Sequence, residues 1–187
     1  MALKLKIIHG STRPGRKGLP VTRWIEGLAR DVDGFDVEFV DLADVGLPLL
    51  DEAAHPAMQN YEHAHTKSWS NIVSDADAFV FVIPEYNYFP PAVVVNAVQT
   101  LLKEWSKKPA GIVSYGGVSG GLRATQVLRT LLANVDMVPL TKTVPLPFFA
   151  THIEGETFTP TEPMSEGAGI MLAELLRWAE ALKPMRG

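Results

Sequence analysis

The stretch DAFVFVIP, residues 77–84, constrains the fold most, because no residue after its first aspartate is polar. A run this short and this continuous is typical of a strand that is buried on both faces of a parallel sheet. Residues 3–10 (LKLKIIHG) and 109–115 (PAGIVSY) have a similar apolar character. Stretches with apolar residues at helical spacing follow these segments, so the chain predicts an α/β fold.

The whole chain alternates between strand-like and helix-like segments. We predict strands at 3–10, 35–42, 77–84, 109–115 and 137–146, and helices at 19–32, 61–76, 91–105, 121–135 and 166–183. Five such strands suit a doubly wound, flavodoxin-like parallel sheet of order 2-1-3-4-5 with helices on both faces. Pro139 suggests an edge position for the fifth strand, because proline cannot donate to a ladder. We expect one domain over residues 1–187.

The composition excludes several classes of protein. The 187 residues carry a net charge of −4, which argues against binding nucleic acid through broad electrostatics. The chain has no cysteine, so disulfides, thiolate nucleophiles and Cys-ligated metals are excluded. No apolar run approaches the roughly 20 residues that cross a bilayer, and the first residues lack a signal-peptide core. We therefore expect a cytoplasmic protein with neither membrane nor nucleic-acid partners.

The loop after the first strand, HGSTRPGRKG, is basic and contains glycine. It matches neither the dinucleotide fingerprint nor a P-loop. Gly10 permits a close backbone turn. Ser11 and Thr12 offer hydroxyl groups, and Arg13 offers a bidentate fork, so the loop suits a phosphate at the start of a helix. The alternative is a solvated basic loop whose glycine and proline residues serve only the turn.

The loop after the third strand, PEYNYFPPAVVVNA, is aromatic. Tyr86 and Tyr88 flank Asn87, so flat apolar faces lie next to an amide that can bond the edge of a heterocycle. Exposed aromatic residues also mark contacts with a partner subunit, and the two interpretations are compatible.

The loop after the fourth strand, SYGGVSGGLRA, contains four glycines within six residues. Close approach of the backbone to a ligand explains them better than stability does. Residues 117–121 also match G-x-S-x-G, and Asp136 and His152 follow Ser119 in the order of a hydrolase triad. Against a serine hydrolase, the chain is short for that fold and has no HGGG-like element.

No residue pattern indicates a metal site or an acid–base pair. His63 and His65 are two positions apart, which predicts different faces of the second helix. Glu85 has no evident acidic partner. We interpret His9 as a strand-end residue near the site rather than as a base. We expect no metal and no catalytic side chain, which suits an enzyme whose cofactor supplies the chemistry.

Together, the segments GSTRPGR, PEYNYFPPAVVVNAV and KPAGIVSYGGVSGG resemble the NADPH-dependent FMN reductase family, from about Lys4 to Leu132. The resemblance implies FMN with its phosphate on the first loop, its ring on the third-strand loop and its edge near the glycine-rich loop. The residues so implied are Ser11, Arg13, Lys17, Gly18, Leu19, Pro84, Glu85, Tyr86, Asn87, Gly116, Gly117, Ser119 and Gly120. It also suggests Arg16, Lys17 and Arg123 as attractors of the NADPH phosphates.

The resemblance implies a ping-pong reaction in which NADPH or NADH delivers hydride to the flavin. Electrons then pass to free flavin, a quinone or another small-molecule electron acceptor. It further implies a homodimer or homotetramer with the flavin near the interface. Tyr88, Phe89 and Ala92 depart from the family's usual glycine, serine and glycine. Two further alternatives are a flavodoxin-like electron carrier without nicotinamide activity and a non-catalytic sensor of flavin or nucleotide. Residues 147–164 carry no family signal.

Overall fold

A parallel sheet forms the centre of the molecule in a computed structural model that describes residues 2–186. Its strands are β1 (Leu3–His9), β2 (Phe35–Asp41), β3 (Ala78–Pro84), β4 (Pro109–Gly116), β5 (Val138–Pro139) and β6 (Val144–Pro147). The first five pair in the order β2-β1-β3-β4-β5, and β6 also pairs with β4. All of these pairings are parallel, which confirms the predicted flavodoxin-like order.

Helices cover both faces of this sheet. They are α1 (Leu19–Arg30), α2 (Leu42–Val45), α3 (Ala64–Asp75), α4 (Ala92–Gln99), α5 (Leu122–Asn134) and α6 (Glu162–Leu182). One core packs the sheet against α1 and α6, through residues such as Ile25 and Met171. The other packs it against α3, α4 and α5, through residues such as Trp69 and Leu128. Within residues 2–186, no helix combines the length and apolar character needed to span a membrane.

Strand β3 supplies side chains to both cores in alternation. Phe79 and Phe81 point into the core of α3–α5, whereas Val80 and Val82 point into the core of α1 and α6. All four are at most 1% exposed. Burying a side chain of this size contributes about 1.5–3 kcal/mol, so the apolar run of this strand is required by the two-sided burial.

The prediction of one continuous fifth strand is wrong. β5 pairs with Pro109 and Ala110 of β4, and the chain then leaves the ladder until β6 pairs with the second half of β4. Residues 140–143 (LTKT) separate the two short strands and are mostly polar, and Pro139 and Pro145 each remove one N–H donor from this edge of the sheet.

Two predicted helices are too long, and one is too short. The second predicted helix begins at Ala64 rather than 61, because the Glu52 carboxylate accepts hydrogen bonds from the N–H groups of Glu62 and His63. The third ends at Gln99, and Trp105 turns into the core in a separate 3₁₀ turn. The last begins at Glu162, four residues before its predicted start.

Residues 147–161 carry structure that the sequence did not predict. A 3₁₀ turn at Phe149–His152 leads into a hairpin of β7 (Ile153–Glu154) and β8 (Thr157–Phe158). Phe158 packs on Trp24 of α1, with 5.2 Å between the ring centroids. This segment therefore lies beside the start of α1, next to the loop that follows β1.

A substitution at Gly121 tests how tightly the start of α5 packs against β4. Its φ is +86°, and an added Cβ would lie 2.7 Å from the Ser114 Cβ and 2.9 Å from the Tyr115 nitrogen. We expect Gly121→Ala to lower the free energy of unfolding by about 2–4 kcal/mol through left-handed strain and overpacking. Urea denaturation measures the change.

Gly27 provides the matched control, because it lies in α1 with open space around it. Gly27→Ala is expected to raise the free energy of unfolding by about 0.5–1 kcal/mol, the cost of a helical glycine. Equal effects of the two substitutions would contradict the packing described for Gly121.

Candidate functional site

The carboxyl ends of β1, β3 and β4 meet at one edge of the sheet, and the loop after β1 is fixed there. The Arg16 guanidinium donates to both carboxylate oxygens of Asp41, at 2.8 and 2.5 Å, and to the Ser11 carbonyl at 2.7 Å. Arg16 thus fixes the loop. Arg13 and Lys17 are exposed and make no ion pair within residues 2–186, so they are the cations available to a ligand.

Gly18 closes this loop at the start of α1. A Cβ at Gly18 would overlap the Tyr115 hydroxyl and lie 3.0 Å from the His9 ring, so only glycine fits. No side chain caps α1, which leaves N–H groups of its first turn available. Free N–H groups at a helix N-terminus favour an anion, and the loop therefore combines two free cations with such a terminus.

Two buried polar side chains lie beneath the loop. His9 is fully buried, and its Nδ1 lies 2.7 Å from the Thr22 hydroxyl. Burial lowers the pKa of His9 to about 4, so the ring is neutral at pH 7. Burial raises the pKa of Tyr115, so its hydroxyl stays protonated. The His9 Nε2 and the Tyr115 hydroxyl both lack a hydrogen-bond partner within the described residues.

Glu85 joins the loop after β3 to the start of α5. Its Oε1 accepts from the Ser119 hydroxyl at 2.9 Å and from the Arg123 guanidinium at 3.1 Å. Its Oε2 accepts from the N–H groups of Arg123 and Ala124 at 3.0 and 3.3 Å. The carboxylate therefore caps α5 and fixes the two loops together.

The segment Tyr86–Phe89 is a tight turn. The N–H of Tyr86 donates to the Phe89 carbonyl at 2.9 Å, and the N–H of Phe89 donates back at 3.0 Å. Asn87 and Tyr88 have φ of +51° and +74°, which is the geometry of a type I′ turn. The Tyr86 hydroxyl lies 3.1 Å from the Ser11 hydroxyl, so the turn also contacts the loop after β1.

Packing explains part of the glycine-rich loop. Gly120 has φ of +59°, and a Cβ there would lie 2.8 Å from the Pro147 nitrogen of β6. Gly121 is confined by β4 in the same way. At Gly116 a Cβ would lie 3.3 Å from the Gly121 nitrogen, whereas Gly117 faces open space. The sequence-based explanation by ligand approach alone is therefore incomplete.

A cavity of about 210 Å³ opens between these loops. Its walls are Ser11, Arg13, Gly15, Arg16, Lys17, Pro84, Glu85, Tyr86, Tyr115, Gly116 and Phe149. Seven of the residues predicted for the site thus meet around one cavity. The other predicted residues lie outside its walls, namely Gly18, Leu19, Asn87, Gly117, Ser119 and Gly120. Leu19 and Lys17 border a second cavity of about 530 Å³ beside the β7–β8 hairpin.

Comparison with known proteins places the chain in a family. The family model described as NADPH-dependent FMN reductase matches residues 3–151. The chain belongs to this family. An NAD(P)H-dependent FMN reductase of Schizosaccharomyces pombe is 41% identical over 126 residues, which cover 66% of this chain and 63% of that protein. A 2-hydroxy-1,4-benzoquinone reductase of a Burkholderia species is 31% identical over 130 residues, covering 68% and 62%.

The chain therefore spans less than two thirds of either relative. Among solved structures, the flavoenzyme NAD(P)H:(acceptor) oxidoreductase FerB of Paracoccus denitrificans matches with a TM-score of 0.76 and 19% identity, covering 96% of this chain and 98% of that one. At an identity this low, the structural match shows the fold alone. The match of the family model confirms the predicted resemblance to the NADPH-dependent FMN reductase family.

The geometry of this FMN reductase family member also argues against the serine hydrolase. Ser119 donates to Glu85, so the contacts of its hydroxyl include no histidine. Asp136 forms an ion pair with Lys107 at 2.8 Å and accepts a hydrogen bond from the Ser106 hydroxyl. Both partners precede the start of β4, far from the edge of the sheet where the site lies. The ring of His152 packs edge-on against Phe158.

The histidine prediction needs a correction as well. His63 and His65 do not lie on different faces, because α3 begins only at Ala64 and His63 precedes it. Their rings are stacked, with 5.1 Å between centroids. Within residues 2–186, no group of three or more histidine and carboxylate side chains is placed to hold a metal ion.

Four residues of the cavity wall are not among the predicted cofactor-binding residues, namely Gly15, Arg16, Tyr115 and Phe149. Tyr115 looked like one more apolar position of β4, and Phe149 lies in a segment with no family signal. Phe149 packs on Tyr115, with 4.6 Å between ring centroids. No pattern in the sequence pairs these two rings, since the contact depends on how residues 147–152 return to the sheet.

Glu85→Gln tests whether the carboxylate joins the two loops. Burial alone would raise the pKa of Glu85, but hydrogen bonds from Ser119, Ala124 and Arg123 lower it below its ordinary value of 4.5. We expect the substitution to lower the free energy of unfolding at pH 7 by about 1.5–3 kcal/mol, the worth of hydrogen bonds to a charged group.

The pH dependence provides a second readout. A depressed pKa stabilises the folded state above the ordinary pKa of 4.5, and this stabilisation is lost as the pH falls through the folded-state value. Urea denaturation at pH 7 and well below pH 4 should show the difference between wild type and Glu85→Gln shrinking in acid. Glu156→Gln, at an exposed carboxylate of the hairpin, is the control. A pH-independent difference would contradict this role for Glu85.

Proposed function

We propose that this chain oxidises NADPH or NADH with FMN held in the cavity between the loops after β1, β3 and β4. The observation that carries the proposal is the cavity's donor set. Arg13 and Lys17 are unpaired cations at one end, next to the free N-terminus of α1. Tyr86 and the backbone at Gly116 line the other walls. This set suits a cofactor with an anionic tail and a planar ring.

The residues present fit FMN at its phosphate end. Arg13 would grip the phosphate as a fork, and Lys17 would add a point charge. The Ser11 hydroxyl lies at the cavity wall, and the buried Tyr115 hydroxyl has no partner in this structure. An orphaned buried hydroxyl is costly unless a ligand satisfies it, so the site is built for a polar group.

At the ring end, Pro84, Tyr86 and Asn87 would border the flavin, and the backbone of Gly116 and Gly117 would approach its edge. Gly117 has open space around it, which leaves room for such an approach. Phe149 and Tyr86 also line the cavity and offer it apolar ring surface. FMN, when bound, supplies hydride acceptance from the nicotinamide and electron delivery to the acceptor. Leu19, Ser119 and Gly120 stay predictions for contacts just outside the cavity.

The charged residues divide into ligand groups and positioning groups. Arg16 is bound to Asp41 and is only 19% exposed, so it is not a free attractor for NADPH phosphates as predicted from the sequence, whereas Arg123 is bound to Glu85 but stays 46% exposed. Lys17 retains that role in our proposal. His9 is neutral and buried, and Glu85 caps α5. We therefore propose a reaction without a protein acid or base.

We propose a quinone or a free flavin as the electron acceptor. One relative is named a reductase of 2-hydroxy-1,4-benzoquinone, which is a small planar ring with oxygen substituents. An electron carrier without nicotinamide activity is not favoured, because the family is defined by NADPH-dependent reduction. The net charge of −4 is also weak for a carrier that docks through acidity. One domain over residues 1–187 and a cytoplasmic location remain predictions.

The visible spectrum of the purified protein tests the proposal. We expect FMN to bind with the absorbance bands of a protein-bound flavin, and NADPH added without oxygen should bleach them. Arg13→Ala should raise the Kd of FMN about 10- to 100-fold, because a hydrogen bond to a charged group is worth about 1.5–3 kcal/mol. Arg177→Ala, at an exposed arginine of α6, should leave the Kd unchanged.

Three outcomes would contradict parts of this proposal. Failure to take up FMN would exclude a flavin function altogether. An unchanged Kd in Arg13→Ala, with flavin still bound, would place the phosphate elsewhere. Binding without bleaching by NADPH would favour the electron carrier.

We also propose a homodimer or homotetramer that covers the rim of the site. Three large apolar side chains near the cavity are exposed, namely Tyr86, Phe89 and Phe148, at 37%, 59% and 56%. A cavity of about 210 Å³ is smaller than a usual ligand pocket of about 300–1,000 Å³, which fits a site completed by a second copy.

Light scattering tests the oligomer. We expect wild type to have the mass of a dimer or tetramer, and Phe89→Asp to shift it toward the monomer, because a charge in an apolar interface is costly. Met58→Asp is the control, since Met58 is 71% exposed and lies before α3, away from the rim. A monomeric wild type would contradict the proposal.

A further inference from the structure

Tyr88 has a backbone conformation that its side chain makes costly. Its φ is +74°, in the left-handed region that glycine and asparagine adopt readily and that a bulky aromatic residue rarely adopts. The preceding Asn87 meets the demands of the same turn with an amide side chain. Strain of this kind persists only where something compensates for it, and it clusters at functional sites.

The compensation does not come from burial. The Tyr88 side chain is 60% exposed, and within residues 2–186 its hydroxyl makes no hydrogen bond. The Arg123 guanidinium lies over the Tyr88 ring, with Cζ 4.2 Å from the ring centroid. An exposed pair of this type contributes only modestly to stability. A tyrosine at this position is therefore not explained by the folded structure alone.

Arg123 fixes the Tyr88 ring relative to the cavity. The guanidinium donates to Glu85 Oε1 at 3.1 Å while it stacks on Tyr88. Glu85 itself forms part of the cavity wall. Two contacts, from Glu85 to Arg123 and from Arg123 to Tyr88, thus connect the cavity wall to the Tyr88 ring at the rim. One face of this ring lies on Arg123, and the rest of it is largely open to solvent. The Arg123 side chain is 46% exposed, so it retains N–H groups for a ligand oxygen.

We propose that Tyr88 and Arg123 form a stacking platform for the planar ring of the electron acceptor. The open part of the Tyr88 ring contacts the acceptor ring, and Arg123 donates to an oxygen substituent on it. This chemistry selects a quinone or a flavin over an acceptor that has no ring. The inference rests on the proposed function, since it assigns the acceptor-binding part of the same site.

Acceptor selectivity of the FMN-loaded enzyme tests this role. At saturating NADPH, kcat/KM is measured for 1,4-naphthoquinone and for ferricyanide, which has no ring to stack. We expect Tyr88→Gly to lower the ratio of these two values about three- to tenfold, the range of one aromatic stacking pair. Tyr88→Phe retains the ring and should retain the ratio.

Gln59→Gly is the matched control for relief of strain. Gln59 has a φ of +53° in a turn before α3, remote from the cavity. It should keep the wild-type ratio. Tyr88→Gly should also keep the wild-type thermal midpoint or raise it, because glycine relieves the left-handed strain. A clear fall in the midpoint with an unchanged ratio would make Tyr88 structural and overturn the proposal.

Three further results would overturn it. The first is an unchanged ratio in Tyr88→Gly at any stability. The second is a change in oligomer mass in Tyr88→Gly, which would assign the ring to a partner copy. The third is a slowing of flavin reduction by NADPH equal to the loss in quinone turnover, which would assign the ring to the donor. Wild type that binds no FMN, or is not bleached by NADPH, would instead refute the proposed function.

Discussion

The Glu85 carboxylate is the contact on which the site depends, because it joins the end of β3 to the start of α5. It accepts four hydrogen bonds, two from side chains and two from backbone N–H groups at the helix N-terminus. Its side chain is only 9% exposed, so its charge is stabilised by these donors rather than by water. With it in place, the aromatic turn and the glycine-rich loop have a fixed relative position, and Arg123 is brought beneath Tyr88.

A second ion pair divides the cations of the first loop by role. Arg16 binds Asp41 at the end of β2 and the Ser11 carbonyl, so it fixes the backbone. Arg13 and Lys17 are left free, and they lie where α1 begins without a side-chain cap. One loop thus contains one cation for structure and two for a ligand, and this division underlies the assignment of an anionic cofactor tail to this end of the cavity.

The sequence predicted the sheet because the signal for a doubly buried strand is local. The apolar residues of β3 alternate between two cores, and no other arrangement buries both sets. The break between β5 and β6 was missed because both short strands are apolar, although the residues between them, 140–143 (LTKT), are mostly polar. The early end of α4 was missed because helical spacing continues to Trp105, whose ring packs against Trp69 and Phe79 instead.

From the sequence alone came the order of the strands, the three loops at their carboxyl ends and the family to which those loops belong. Each depends on residues close together in the chain, where spacing and residue type suffice. The tertiary structure alone decided the direction of each polar side chain in those loops. In the folded chain Glu85 binds Arg123 at the start of α5, Arg16 binds Asp41, and Phe149 packs on Tyr115. These contacts join residues 25 or more positions apart, and their energies depend on burial and geometry that only the assembled sheet provides.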